Sequence, residues 1–208
     1  MSWPAPERWT SLCRALGSGD AAGWYDRLAG AHAEPQRHYD TQQHLVECLA
    51  ELDEARHLAR QPPAVEFALW FHDAVYFPQA TDNEKQSARL ARQCLAHIGA
   101  VDALGERVAH LVMTTKFHNP DGDADAGLMV DVDLSILGRE PKRFFEYEQQ
   151  IRAEYAWVPA ADYSAKRAEI LERFLSRERI YTTEWFHQKY EAQARKNLAE
   201  SVNQLRQK

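Results

Sequence analysis

The stretch Ala64–Tyr76, AVEFALWFHDAVY, limits what this chain can fold into more than any other part of it. An almost unbroken apolar run leads into an adjacent His72 and Asp73, then into an aromatic turn and Pro78. The run is too short to span a bilayer, so it reads as a helix buried in a protein core. Burying an ionised carboxylate costs several kcal/mol unless a partner or a metal compensates it. Two readings follow. In one, Asp73 is an exposed residue at the helix end and His72 is a hydrogen-bonded core histidine. In the other, the two side chains are neighbouring nitrogen and oxygen ligands of a metal ion.

Helical spacing dominates the rest of the sequence, period-two alternation is scarce, and there are only nine glycines. Trp9, Leu12, Cys13 and Leu16 mark a first helix, closed by Gly17 and Gly19. A second runs from about Asp20, as N-cap, through Trp24, Tyr25 and Leu28 to Pro35. Thr41 caps a third that carries Leu45, Cys48, Leu49 and Leu52, and Pro62 and Pro63 open the fourth, the buried one. Thr81 with Glu84 reads as a capping box for a fifth, with Ala88, Ala91, Leu95 and Ile98 facing inward. A sixth spans Val101 to about Phe117. Asn119–Gly127, NPDGDADAG, is a turn-rich loop, and the apolar segment Leu128–Gly138 follows it. Helices at Pro141–Tyr155, Tyr163–Arg177 and Thr183–Arg206 complete the chain. The expectation is an all-α fold of about nine helices forming one domain over residues 1–208. Its core covers about 36–140, and the C-terminal helices 141–208 pack on that core.

A net charge of −6 with no basic block argues against a nucleic-acid groove, which needs clustered Lys and Arg. Small anionic substrates stay open, because a few local cations suffice for them. Three unevenly spaced cysteines without a CxxC pair read as free thiols in a reducing compartment. The N-terminus lacks the charged start and apolar core of a signal peptide, and no run of eighteen apolar residues exists. A cytoplasmic location with no membrane contact is the expectation.

Upstream of the His-Asp pair, RHYDTQQHL holds His38 and His44; downstream, MVDVDLSILG holds Asp131 and Asp133. A His, then His-Asp, then Asp, on three separate helices, supplies four nitrogen and oxygen ligands. Such a set suits a divalent ion that keeps positions for water and substrate. Asp131 and Asp133 point about 200° apart on a helix, so both cannot face one ion. The apolar Leu134, Ile136 and Leu137 bury the segment of Asp133, whereas Asp131, just after the loop, reads as a helix cap. The D-x-D-x-D start of the loop resembles a calcium site, but Ala126 and Val132 stand where glycine and the closing glutamate belong. It reads as a solvated loop.

The order His44, His72-Asp73, Asp133 resembles the HD superfamily of metal-dependent phosphohydrolases. RHYDTQQH, ALWFHDAVY, DNEKQSA, TTKFH, DVDLSILG, IRAEY and FLSRERIYTT are similar to a bacterial subgroup of predicted HD phosphohydrolases about 200 residues long, over nearly the whole chain. That resemblance implies an HD-type helical domain holding one divalent ion (Mn, Co, Ni, Fe, Mg or Zn) on His44, His72, Asp73 and Asp133. It implies hydrolysis of a small phosphate ester, a nucleotide being the usual kind, by a metal-activated water. Asp73 would both ligate and orient or deprotonate that water. Asp40 stands where the subgroup often has histidine, which leaves position 40 open.

Other residues carry two readings each. Glu84 is a general base or only a helix cap, and His38 is a site contact or a surface histidine beside Arg37. His118 is a substrate contact or an extra ligand. Lys116, Arg37 and Arg152 are phosphate clamps or solvated cations. The rival enzyme class is an HD-type diiron oxygenase, which needs two further histidines from among His97, His110 and His118. A catalytically silent nucleotide-binding regulator is the other alternative.

Overall fold

A computed structural model describes residues 3–17 and 21–207. The described residues are helical, with no strand among them. Two compact units divide the chain, one ending at Val130 and the other beginning at Asp131. Among the described residues ten α-helices are present where about nine were expected: α1 (Pro6–Leu16), α2 (Ala22–Ala31), α3 (Gln42–Ala55), α4 (Pro62–Phe71), α5 (Asn83–His97), α6 (Asp102–Thr114), α7 (Ala124–Asp133), α8 (Pro141–Glu154), α9 (Ala160–Leu175) and α10 (Glu184–Arg206). The additional helix is α7. It is buried almost throughout and carries aspartates on more than one side, so its sequence shows no helical period, and its first turn lies inside the acidic stretch read as loop. None of the described helices is long and apolar enough to cross a membrane.

In the first unit, α4 is the central helix, packed by α1, α3, α5 and α6. Every residue from Ala64 to Phe71 is buried. Proline in its first turn leaves no orphan N–H there. The rings of Trp9, Phe67, Trp70 and Phe71 pack together, with centroids 4.8–6.1 Å apart. The one polar intruder is Glu66, 3% exposed, which accepts from Arg8 Nε at 2.7 Å and Arg56 Nη1 at 2.5 Å. Those two bonds anchor α1 and the 3-10 turn after α3 to the buried helix. Cys13, Cys48 and Cys94 are free and buried, as their spacing predicted.

Thr41 caps α3, its side chain accepting from Gln43 N, a contribution of about 1 kcal/mol. The Asp20 cap lies outside the described residues. At the far end of α5, Gly99 takes a left-handed φ of 76°, and Ala100 N reaches back to Leu95 O at 2.9 Å. Only glycine adopts that closure without strain. The capping box at Thr81 does not form: α5 begins at Asn83 after Asp82, and no side chain caps it. The early α5 residues hold the preceding loop instead. Asn83 exchanges two hydrogen bonds with the backbone of Phe77, at 3.1 and 2.9 Å. Ser87 Oγ accepts from Val75 N at 3.0 Å and donates to Val75 O at 3.4 Å.

The acidic stretch is not a solvated loop throughout. Asp123 Oδ1 accepts from the backbone of Asp125 and Ala126, capping α7, and both carboxylates pair with Arg107. Asp125 is fully buried and also accepts from Arg60 N at 2.6 Å.

In the second unit, Asp131 does not cap its own helix, of which it is the third residue from the end. Its carboxylate accepts from Thr182 N at 2.7 Å, Thr183 N at 2.6 Å and Thr183 Oγ1 at 2.7 Å, satisfying the start of α10. Gly138 lies so close to α10 that a Cβ there would meet Tyr190 Cβ at 2.5 Å. Asn197 ties the same turn down, donating to Leu137 O and Arg139 O.

Candidate metal centre

His72 and Asp73 follow α4 directly, His72 as its C-cap and Asp73 in the turn. His44 occupies the third position of α3, and its ring meets that of Tyr39 at 4.6 Å. The first unit therefore unites three of the four expected ligands. His44 Nε2 and His72 Nε2 are 3.1 Å apart. Asp73 Oδ2 is 2.9 Å from His72 Nε2 and 3.5 Å from His44 Nε2. His44 and His72 are buried, while the Asp73 side chain keeps 21% exposure and is the member that reaches solvent.

Hydrogen bonding fixes the His72 ring. Its Nδ1 lies 2.8 Å from Leu69 O, an acceptor only, so that nitrogen carries the proton. In a neutral imidazole Nε2 is then a bare lone pair, aimed at a carboxylate oxygen and at a second imidazole nitrogen. Burial alone would raise the Asp73 carboxyl. With both imidazoles protonated instead, the charges and hydrogen bonds of His72 and His44 reverse that and hold it far below the usual carboxylate range.

The donor set and its spacing fit a metal. Bonds of roughly 2.0–2.3 Å place neighbouring ligand atoms about 2.9–3.6 Å apart around one ion. The separations among His44, His72 and Asp73 all fall in that window. Two further side chains join the cluster. Asp40, 9% exposed, brings a carboxylate oxygen within 4.8 Å of ligand atoms of His44 and Asp73. Cys48 brings its sulfur within 4.8 Å of ligand atoms of His44 and His72. Position 40 had been left open, and Cys48 was read only as core. The i, i+4 spacing of His44 and Cys48 on one helix face was the signal that could have found it. Asp133, the fourth expected ligand, is half-buried and ends α7, on the second-unit side of the division.

Arg37, expected as a phosphate clamp, is engaged by the protein itself. Its side chain is fully buried, and its guanidinium donates to Asp40 O at 3.1 Å, Asp73 O at 2.6 Å and Ala74 O at 3.3 Å. Glu34 accepts from its Nε at 3.0 Å. The carbonyls beyond the end of α4 thereby gain donors, and the two ligand-bearing segments are joined through one planar group. Arg152 donates to Tyr155 O and Val158 O in the second unit.

The remaining expected contacts differ in burial and partners. His38 is exposed. Lys116 donates to Thr81 O at 2.6 Å and lies 3.8 Å from Glu84, each side chain 27% exposed. His118 sits half-buried in the turn after α6 with φ 49°, an uncommon conformation for a residue with a Cβ. His97 and His110 are exposed, His110 facing Asp123 at 3.5 Å. His32, not singled out by sequence, is buried with no hydrogen-bond partner for either ring nitrogen. Comparison of the chain with protein-family models, with curated proteins and with solved structures returns no match in any of the three.

Proposed function

We propose that this chain is a metal-dependent phosphohydrolase of the HD type, acting on a small phosphate ester such as a nucleotide. The observation that carries the reading is the aim of His72 Nε2. With Nδ1 committed to Leu69 O, its lone pair confronts Asp73 Oδ2 and His44 Nε2. A divalent cation bound to all three resolves that crowding of donor atoms. His44, His72 and Asp73 would hold the ion, and the ordered motif of the resembled superfamily assigns the remaining position to Asp133.

When bound, such an ion supplies Lewis acidity and lowers the pKa of a water from about 15.7 towards 7. The chain's own residues do the rest. His44 and His72, both buried and the latter ring-locked by Leu69 O, would fix where the ion sits. Asp73 is the ligand with solvent access, so it is placed to orient the attacking water and accept its proton. Arg37 is the less favoured substrate contact, since four acceptors already engage its guanidinium. Lys116, His38 and His118 remain the proposed contacts of the phosphate ester, and Glu84 the proposed second acid/base group. A diiron oxygenase is less well supported, because His97 and His110 face solvent.

Elemental analysis of the purified chain should find about one divalent ion per molecule. A panel of phosphate esters assayed with Mn, Co, Ni, Fe, Mg and Zn should reveal a hydrolysis that a chelator abolishes. Two tightly bound irons, or no hydrolysis with any ion, would overturn the reading.

A further inference from the structure

A cavity of about 390 Å³ lies within the second unit, between α8, the start of α9 and the end of α10. That size falls in the range of roughly 300–1,000 Å³ that small-molecule sites occupy. We infer that the cavity binds a small aromatic anion, a ring carrying a carboxylate or phosphate group, and holds it through Arg152 and Tyr163. None of its lining residues belongs to the proposed metal centre, so the inference does not rest on that reading.

Arg152 supplies the charge. Its Nη1 donates to Tyr155 O at 2.5 Å and its Nη2 to Val158 O at 3.1 Å, and its guanidinium carbon lies 4.7 Å from the centre of the Tyr163 ring. Those contacts fix the group yet leave it N–H donors to spare. A planar guanidinium so held is suited to receive a carboxylate or a phosphate. The phosphate clamp expected of Arg152 from sequence would thus serve this cavity.

Tyr163 supplies the second donor. Its hydroxyl oxygen is buried and has no hydrogen-bond partner among the described residues. Burial pushes that hydroxyl up to about 12, so it keeps the proton it would donate. Ala160, also on the wall, opens α9, which has no side-chain cap, and an anion is favoured beside such a helix start. One lining carboxylate opposes the positive charge. Glu148, however, accepts from Arg167 Nη2 and, at 2.9 Å, from Ser201 Oγ, and the arginine neutralises it. Arg152 is therefore the uncompensated charge of the lining. Phe145 and Leu205 add an apolar wall, against which a ring gains contact that a bare inorganic ion does not.

Calorimetric titration of the purified full chain with benzoate and with phenylphosphonate, whose C–P bond resists hydrolysis, tests the site. At least one of the two should bind saturably at one equivalent, and the tighter of them identifies the head group. Tyr163→Phe removes the hydroxyl alone. Its melting temperature should be unchanged or higher, because a partnerless buried group is lost. Its binding should nonetheless weaken roughly tenfold to a hundredfold, the worth of one hydrogen bond to a charged group. Arg152→Gln should abolish saturation, and if that variant does not fold, Tyr163→Phe decides alone. No saturable binding of either probe overturns the site. Binding undiminished in folded Tyr163→Phe places the anion elsewhere and also overturns it. Metal content is read separately, so either failure leaves the metal centre untouched.

Discussion

His44 Nε2 and His72 Nε2 lie 3.1 Å apart, though 28 positions separate the residues in sequence. Two nitrogens that close need a proton or a cation between them. His38, by contrast, is exposed. His44→Ala should therefore abolish metal retention, and His38→Ala should leave metal bound and at most raise KM. Metal analysis after dialysis checks both. Equal loss in the two variants would mean that the first ligand is misassigned.

Arg37 should behave as a structural residue. Arg37→Met strips a donor from three backbone carbonyls beside the ligands, and a cost of about 3 kcal/mol in urea unfolding is expected. Metal affinity should fall with it, because those carbonyls belong to the ligand-bearing segments. A higher KM at unchanged stability would instead make Arg37 a substrate clamp.

Glu84 has lost its structural explanation, since α5 uses no side-chain cap. Its contact with Lys116 is long and partly exposed, and such pairs contribute little. Glu84→Gln should leave stability within about 0.5 kcal/mol. Turnover should drop on the order of a hundredfold if the carboxylate moves a proton. Full turnover would reduce Glu84 to a surface partner of Lys116.

The two aspartates of DVDLSILG should separate cleanly. Asp133→Asn is expected to cost metal affinity and nearly all turnover. Asp131→Asn should keep metal but lose about 1–3 kcal/mol, because one of its oxygens becomes a donor facing N–H groups. Asp131 also gives a pH signature. Burial pushes its carboxyl up to about 6, against the hydrogen bonds from Thr183 and Thr182. A raised carboxyl contributes stability that is complete below the unfolded value of 3.8 and lost as pH rises through about 6. The stability gap between the parent and Asp131→Asn should thus narrow from pH 4 to pH 7. A gap independent of pH would contradict the shift.

His32 acts in the opposite direction. Burial, followed by the nearby Arg37, lowers it from 6.5 to about 3. Its contribution is present above pH 6.5 and drains away as pH falls towards 3, by up to about 1.4 kcal/mol per unit. His32→Phe keeps an aromatic ring against Trp3, 5.6 Å away, and should flatten that acid decline. Parallel acid profiles for the parent and the variant would rule the effect out.

Much of this was legible in the residues themselves. The apolar run before His72 dictated a buried helix, because no other element hides eight consecutive side chains so simply. Thr41, Pro62 and Pro63 marked helix starts through local chemistry, and the structure uses all three. Helix α7 was not legible, because a helix buried on all sides has no polar face to give it a period. Nor was the capping box at Thr81 decided locally. Asn83 and Ser87 instead bond the loop after the His-Asp pair, a contact set by how that loop returns to α5.

The candidate centre divides the same way. Residue type and order brought out His44, His72 and Asp73, since imidazole and carboxylate in apolar helices demand compensation wherever they meet. Their distances, and the company of Asp40 and Cys48, depended on how α3 packs beside α4. An arginine reads as a cation in sequence, and only the fold shows Arg37 spending its donors on backbone carbonyls. Asp131 likewise caps a helix some fifty residues away, at Thr182 and Thr183. The sequence by itself determined which groups need partners, because desolvation cost is a property of the side chain. The tertiary structure alone decided which partners they receive, because hydrogen bonds and ligand spacing act over about 3 Å and ignore separation along the chain.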